Sequence, residues 1–323
     1  MPNKSNKVNL KGRSLLSIND LSPEEIQYIL KTTGALKKKK NSTELKGKTL
    51  GMIFQKPSTR TRVSFEVAMY QLGGHALYLS ANELQLKRGE TVADTARVLS
   101  RYVDGIVARV FSHNDVVDLS KYATVPVINA LSDYEHPCQA LADIFTILEH
   151  KKTIRNLKIV YIGDGNNVAH SLVLAVVKSG GYIEVATPKG YEMNPELIKL
   201  ANQIANKTGG KPARPDVRSG GLVTSNNPIS TVTGADVIYT DVWTSMGQEE
   251  EHKKRLEAFK GYQLNSELIS HAKKDVIIMH CLPAHRGEEI TNEVVDSPNS
   301  VVLDQAENRL HVQKAILMLT MEK

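Results

Sequence analysis

Aromatic side chains make up only 5% of this 323-residue sequence, with a single tryptophan, so the stacking platforms that bind single-stranded nucleic acid are scarce. A formal net charge of +6 therefore does not by itself argue for a nucleic-acid partner. The densest basic block, Lys37 to Lys40, closes a helix expected to begin near Ser22-Pro23-Glu24-Glu25, where cations complement the helix dipole. The surplus positive charge is better matched to a small, highly anionic substrate. No apolar run approaches the ~20 residues that a membrane span needs. Residues Met1 to Leu10 lack a hydrophobic signal segment, so the expectation is a cytoplasmic protein with no membrane partner. Cysteine is nearly absent too. Cys138 and Cys281 give no disulfide framework, and neither has a second ligand at finger-type spacing. No metal and no cofactor is expected.

What is present is an alternation of strands and helices, the pattern of an α/β architecture built on parallel sheets. Hydrophobic content of 41% and charged content of 24% suit a globular enzyme, and the length allows two domains of about 150 residues each. Buried strands are expected at Leu50–Phe54, Ile106–Val110 and Val125–Asn129, and a helix after His136 with Leu141, Ile144, Phe145 and Leu148 on its apolar face. The polar stretch Lys151–Asn156 marks the expected domain crossing. A second unit then offers strands at Leu157–Ile162, Tyr182–Ala186, Asp236–Tyr239, Val276–Met279 and Val301–Leu303, and a closing helix over Ala306–Met321. Residues Gly209 to Thr231 read as a loop bracketing a short strand.

Chemistry concentrates where the strand Leu50–Phe54 gives way to a helix with Phe65, Ala68, Met69 and Leu72 on one face. Between them stand the hydroxyls Ser58, Thr59 and Thr61 and the guanidiniums Arg60 and Arg62. A helix N-terminus presents free N–H groups and a partial positive charge, and an arginine fork grips phosphate oxygens. A simple helix cap needs one hydroxyl and no arginine, so the run is an anion cradle.

Three further clusters sit at the ends of expected strands, where α/β proteins bind ligands. His136 and Gln139 combine an imidazole with an amide that both donates and accepts. Asp241 leads into Ser245-Met246-Gly247, a carboxylate fit for an ammonium group followed by a glycine-hinged loop. His280-Cys281-Leu282-Pro283 puts a thiol and carbonyl groups at a strand tip. A competing reading concerns Gly163-Asp164-Gly165-Asn166-Asn167-Val168, which has the outline of a dinucleotide fingerprint with Glu184 about 20 residues on. Val168 holds the third glycine position, and the paired amides suit a zwitterionic amino acid better.

Taken together, Ser58-Thr59-Arg60-Thr61-Arg62, His136-Pro137-Cys138-Gln139 and His280-Cys281-Leu282-Pro283 resemble the signature motifs of the carbamoyltransferase family, over nearly the whole chain from Gly12 to Arg309. Cys281 stands where aspartate-specific members carry proline, and Ser245-Met246-Gly247 looks like the loop of the ornithine-specific branch. The resemblance implies two doubly wound parallel-sheet domains with the active site in the cleft between them and the C-terminal helix returning to the first. Residues 1–150 would bind carbamoyl phosphate, 151–305 would bind ornithine, and 306–323 would form the returning helix. It also implies transfer of a carbamoyl group to the δ-amine of ornithine, with putrescine or another ornithine-like amine as the alternative acceptor. Ser58, Thr59, Arg60, Thr61, Arg109, His136 and Gln139 would hold carbamoyl phosphate, with Cys281, Leu282 and Arg309 completing the site. Arg60, Arg109, His136 and Cys281 are the catalytic candidates. Gln85 would reach a neighbouring subunit of a homotrimer or a multiple of trimers, and Lys87 beside it replaces a frequent family glycine. Asn167, Asp241, Ser245 and Met246 would bind ornithine. The resemblance leaves open whether citrulline is made or broken down.

Overall fold

Apolar runs of four to six residues line up as two all-parallel sheets. The computed structural model describes residues 8–39, 41–85, 89–208, 221–244 and 249–322. The first sheet has the order β2-β1-β3-β4, with β1 Thr49–Phe54, β2 His75–Ser80, β3 Gly105–Arg109 and β4 Val127–Leu131. The second has the order β7-β6-β5-β8-β9, with β5 Lys158–Ile162, β6 Tyr182–Ala186, β7 Gly221–Ser225, β8 Val237–Thr240 and β9 Ile277–His280. Continuous burial along β1, β3, β5, β8 and β9 explains why these strands read as solid apolar runs: helices cover both faces.

By internal contacts the chain divides into two units, one running to Leu141 and resuming at Arg309, the other from Ala142 to Asn308. Both divisions fall inside helices, Pro137–Lys151 and Val302–Met321. In the first unit the helix Thr59–Gln71 buries Phe65, Ala68 and Met69 completely, as its spacing predicts. Ser22 caps the helix Pro23–Lys38 through a reciprocal box with Glu25, and the other end of that helix is closed from afar. Lys314, fully buried on the last helix, donates from Nζ to the carbonyls of Leu36 (3.4 Å) and Lys39 (3.1 Å) and to Gln71 Oε1 (2.9 Å). Its ammonium thus satisfies carbonyls that a helix C-terminus leaves open, while burial pulls its pKa down. In the second unit the core gathers Trp243, Phe259 and Tyr262, with Trp243 stacked on Phe259 at 5.4 Å.

The Val301–Leu303 stretch is not the expected strand. Val301 N–H donates to Ile278 O (3.0 Å), but Val302 already opens the helix that runs to Met321. The branched side chains there report burial, since Val301 and Val302 are each 6% exposed, and not extended backbone. β2 escaped the sequence reading for the opposite reason: it is an edge strand, only partly covered, and lacks a solid apolar run.

Candidate active site

In a parallel sheet, ligands bind beyond the carboxyl ends of the strands where the strand order reverses. The first sheet reverses between β1 and β3. Phe54 and Arg109, the last residues of these strands, are in register. The chain leaving β1 reaches Ser58, which N-caps the helix Thr59–Gln71 by accepting from Thr61 N–H at 3.3 Å. Arg60 lies half-buried in the first turn, and among the described residues no ion pair engages its guanidinium. Arg62 is otherwise occupied, paired with Glu66 at 2.9 Å and lying 3.8 Å over the Tyr78 ring.

Arg309 binds this region together. Its fork donates to Gln139 Oε1 (2.6 Å) and Thr61 Oγ1 (3.0 Å), residues 170 and 248 positions away. His136, 4% exposed, precedes the helix Pro137–Lys151 and accepts on its carbonyl from Gln139 N–H at 3.1 Å. The turn carrying His136 is anchored by buried Glu135, which accepts from Ile18 N–H (2.9 Å) and the Ser17 hydroxyl. Sequence reasoning passed over Glu135, and its position directly before His136 was the available signal.

Burial, reinforced by the Arg309 and Arg109 guanidiniums, holds the His136 imidazole well below its usual pKa. His136 is therefore neutral at pH 7, with one ring nitrogen able to donate and the other to accept. Cys138 is inert, because burial pushes its thiol up to about 12. A folded chain that keeps His136 neutral binds fewer protons than the unfolded chain below the unfolded value of about 6.5. Stability from this group is present above that pH and lost as pH falls through it toward the folded value. Between pH 7 and 5 the chain is therefore expected to lose stability. Urea unfolding of His136→Gln at the two pH values should show a correspondingly shallower dependence. An unchanged slope would mean the imidazole is not held neutral.

The second sheet reverses between β5 and β8. β5 leads into Gly163–Asn166 and the helix Asn167–Lys178, and β8 leads into Asp241. Asn166 Oδ1 caps that helix by accepting from Val168 N–H (2.9 Å) and Ala169 N–H (3.1 Å), while its Nδ2 donates to Asp241 Oδ2 at 2.8 Å. Asp241, 5% exposed, also accepts from Cys281 Sγ at 2.9 Å on Oδ1. Register explains the meeting, since Thr240 pairs with His280 and the next residue of each strand then stands side by side. A carboxylate has about four acceptor positions, so two contacts leave it able to take an ammonium group.

His280, fully buried, sets the conformation of the turn through Cys281 and Leu282. Its Nε2 lies 2.9 Å from Glu289 Oε1 and its Nδ1 accepts from Leu282 N–H at 2.9 Å, which assigns the proton to Nε2. Leu282 is thereby held at φ 57°, a left-handed conformation unusual for a branched side chain. Arg255 performs a similar service, donating to Asp164 Oδ2 (2.9 Å) and Trp243 O (2.8 Å). Burial raises the Asp164 pKa to about 6 against the pull of Arg255.

The dinucleotide reading fails on geometry. The N–H groups that would receive a pyrophosphate are taken by Asn166. Gly165 is required because a Cβ there would lie 2.3 Å from Met193 N, so it packs against protein backbone. Glu184 sits in mid-strand, bonded to the Tyr182 hydroxyl (2.6 Å) and paired with Lys158 (3.2 Å).

Of the candidates named from sequence, Thr61, Gln139 and Arg309 are hydrogen-bonded in the first unit, with Arg109 and His136 beside them. Asp241 and Cys281 meet in the second, and Leu282 follows directly. Asn167 opens its helix half-buried, whereas the amide bonded to Asp241 belongs to Asn166. Gln85 is exposed, and among the described residues no hydrogen bond joins its side chain to the Thr61 cluster. Ser245, Met246 and Lys87 lie outside the described residues.

Residues 13–149 match the carbamoyl-P binding domain of aspartate/ornithine carbamoyltransferases, and residues 155–320 match the Asp/Orn binding domain of the same proteins. The chain is 60% identical to the ornithine carbamoyltransferase of Thermococcus kodakarensis over 97% of its own length and 98% of that protein's. It is equally similar, at 60%, to a Pyrococcus furiosus relative named as an anabolic ornithine carbamoyltransferase, covering 97% and 98%. The solved structure of an ornithine carbamoyltransferase from Pyrococcus furiosus, 60% identical, superposes with a TM-score of 0.92 over 97% of this chain and 98% of that one. One from Thermus thermophilus, 42% identical, gives 0.85 over 96% and 99%. Motifs, sheet order and full-length similarity agree, and the chain belongs to the aspartate/ornithine carbamoyltransferase family.

Proposed function

We propose that this chain transfers the carbamoyl group of carbamoyl phosphate to the δ-amine of L-ornithine, giving L-citrulline and phosphate. The observation that carries the choice of acceptor is Asp241, a buried carboxylate held by Asn166 and Cys281 at the reversal point of the second sheet. It attracts an α-ammonium group and repels the second carboxylate of an aspartate-type acceptor. Residues 1–150 form the carbamoyl phosphate domain, 151–305 the ornithine domain and 306–323 the returning helix in this reading.

The reaction needs no covalent intermediate. The neutral δ-amine attacks the carbonyl carbon, the C–O bond to phosphate breaks, and the amine proton leaves with the departing phosphate or solvent. Ser58, Thr59, Arg60 and the helix N-terminus hold the phosphate; Thr61, Arg109 and neutral His136 donate to the carbonyl oxygen as it gains charge. With Oε1 accepting from Arg309, the Gln139 amide offers its nitrogen as a donor. Asn167, Ser245 and Met246 are assigned to ornithine together with Asp241, and Leu282 to carbamoyl phosphate. Cys281 orients Asp241 and is not a nucleophile in this reading, since its thiol donates to a carboxylate and direct transfer between two bound substrates needs no covalent intermediate.

Gln85, exposed at the end of a turn, completes the neighbouring site of a homotrimer or a multiple of trimers. The exposed Val63, Tyr70 and Leu77 give the first unit apolar surface that an interface would cover. We place the enzyme in the cytoplasm and in the synthetic direction toward arginine, which the anabolic name of the Pyrococcus furiosus relative supports. No described helix is long and apolar enough to cross a membrane.

Colorimetric detection of carbamoylated product, with ornithine, putrescine and aspartate offered in turn, tests the reading. Citrulline should form at least about 100-fold faster than carbamoylputrescine, because putrescine leaves the groups that receive the α-carboxylate unpaired. Equal rates with putrescine, or product from aspartate alone, would overturn the assignment.

A further inference from the structure

A second cluster lies beside the Cys281 segment and takes no part in the reaction above. Glu288 faces two imidazoles, with His252 Nε2 3.6 Å from one of its oxygens and His285 Nδ1 3.6 Å from the other. Ligand-capable atoms of His285, Glu288 and Glu289 all lie within 4.8 Å of one another. Glu289 is 0% exposed, and its Oε2 and that of Glu288 are buried without a hydrogen-bond partner.

A separation of 3.6 Å is too long for a hydrogen bond. It is close to the spacing of about 3.4 Å between two donors that each lie about 2.1 Å from one tetrahedral ion. Two carboxylates side by side, one fully buried, call for a compensating cation. The geometry points to a first-row divalent cation, zinc or cobalt(II), bound by His285, Glu288 and Glu289 with solvent as the fourth ligand.

The surrounding contacts fit such an ion. Thr244 Oγ1 lies 3.2 Å from His252 Nδ1, leaving Nε2 toward Glu288. Glu289 Oε1 is engaged by His280 Nε2 (2.9 Å) and by His285 N–H (2.6 Å), which orients Oε2. Ligands steadied by a second layer of hydrogen bonds in this way are usual for metal centres. Mixed nitrogen and oxygen donors suit zinc and cobalt better than magnesium or calcium. Both imidazoles are partly exposed, at 39% and 44%, so an ion can enter from solvent. Bound there, it braces the turn after Cys281. The site stands independently of the proposed reaction.

Cobalt(II) titration of the chelator-treated full chain, followed by visible absorption, provides the test. A single ion should bind per chain, giving the visible bands of a four-coordinate nitrogen and oxygen site and no thiolate charge-transfer band. Zinc should displace it. His285→Ala, at a partly exposed position, should weaken binding by at least about ten-fold, whereas His252→Ala, outside the ligand group, should change it by no more than a few-fold. Cys281→Ser should leave it unchanged, which separates this site from the neighbouring Asp241, His280 and Cys281 group. No binding below millimolar cobalt, binding indifferent to His285→Ala, or binding lost in Cys281→Ser would each overturn the proposal.

Discussion

Replacing Arg60 by alanine is expected to lower kcat by about 10²–10³-fold while shifting the melting temperature by no more than about 2 °C. The two halves of that result have separate causes. Charge builds on the departing phosphate only as the C–O bond breaks, so a guanidinium at the helix N-terminus contributes more to the transition state than to the bound substrate. Within the fold, by contrast, Arg60 is half-buried and among the described residues makes no ion pair, so its removal breaks no salt bridge there. Arg62 is the built-in control. Its partners are Glu66 and the Tyr78 ring, and Arg62→Ala should leave kcat within a few-fold of the parent. Arg309→Ala should lose both activity and stability, since it releases Thr61 and Gln139 from a buried fork. Steady-state kinetics beside thermal melts of the three variants distinguish these outcomes. A near-normal rate for Arg60→Ala would mean that the phosphate is held elsewhere.

That contrast marks the limit of what the sequence could reveal. The run Ser58 to Arg62 was legible as a capped helix start because its meaning is local: a strand, a capping hydroxyl and the first helical turn lie within a few residues. Which of the two arginines was available was not local, because it depends on Tyr78, on a strand whose mixed pattern hid it. Arg309 lies further out still. Its tie to Thr61 spans 248 residues, and no periodicity carries such a contact; only the family resemblance pointed to it. The Val301–Leu303 misreading has the same root. Branched apolar residues signal that a segment is buried, and whether it is buried as strand or helix is decided by neighbours.

The second unit was legible in its parts and not in its wiring. Asp241 and Cys281 were both marked as strand-tip residues, but the order β5-β8-β9 is what places them 2.9 Å apart. Asn167 was singled out for ornithine, while the amide that meets Asp241 is Asn166, one position earlier and also the helix cap. Glu289 gave no signal of its own. Its role, orienting His280 and through it Leu282, appears only when the turn after β9 folds back on the strand.

Asp241→Asn is the second substitution with a large expected effect. The asparagine keeps the volume and one acceptor for Cys281 or Asn166, so the loop should fold, but the charge that meets the α-ammonium is gone. Loss of one member of a buried charge pair costs about 2–5 kcal/mol, so kcat/KM for ornithine should fall by about 10²–10³-fold or more. The KM for carbamoyl phosphate, held by the first unit, should stay the same. The choice of acceptor sharpens the test. δ-Aminovalerate has the reacting amine and the carboxylate of ornithine but no α-ammonium, so the parent enzyme should strongly prefer ornithine over it. In Asp241→Asn that preference should collapse, because the two acceptors then differ in a group the site no longer reads. If instead the variant loses activity with both acceptors and keeps its preference, Asp241 serves only to position Cys281 and Asn166, and the ammonium is recognised by another residue.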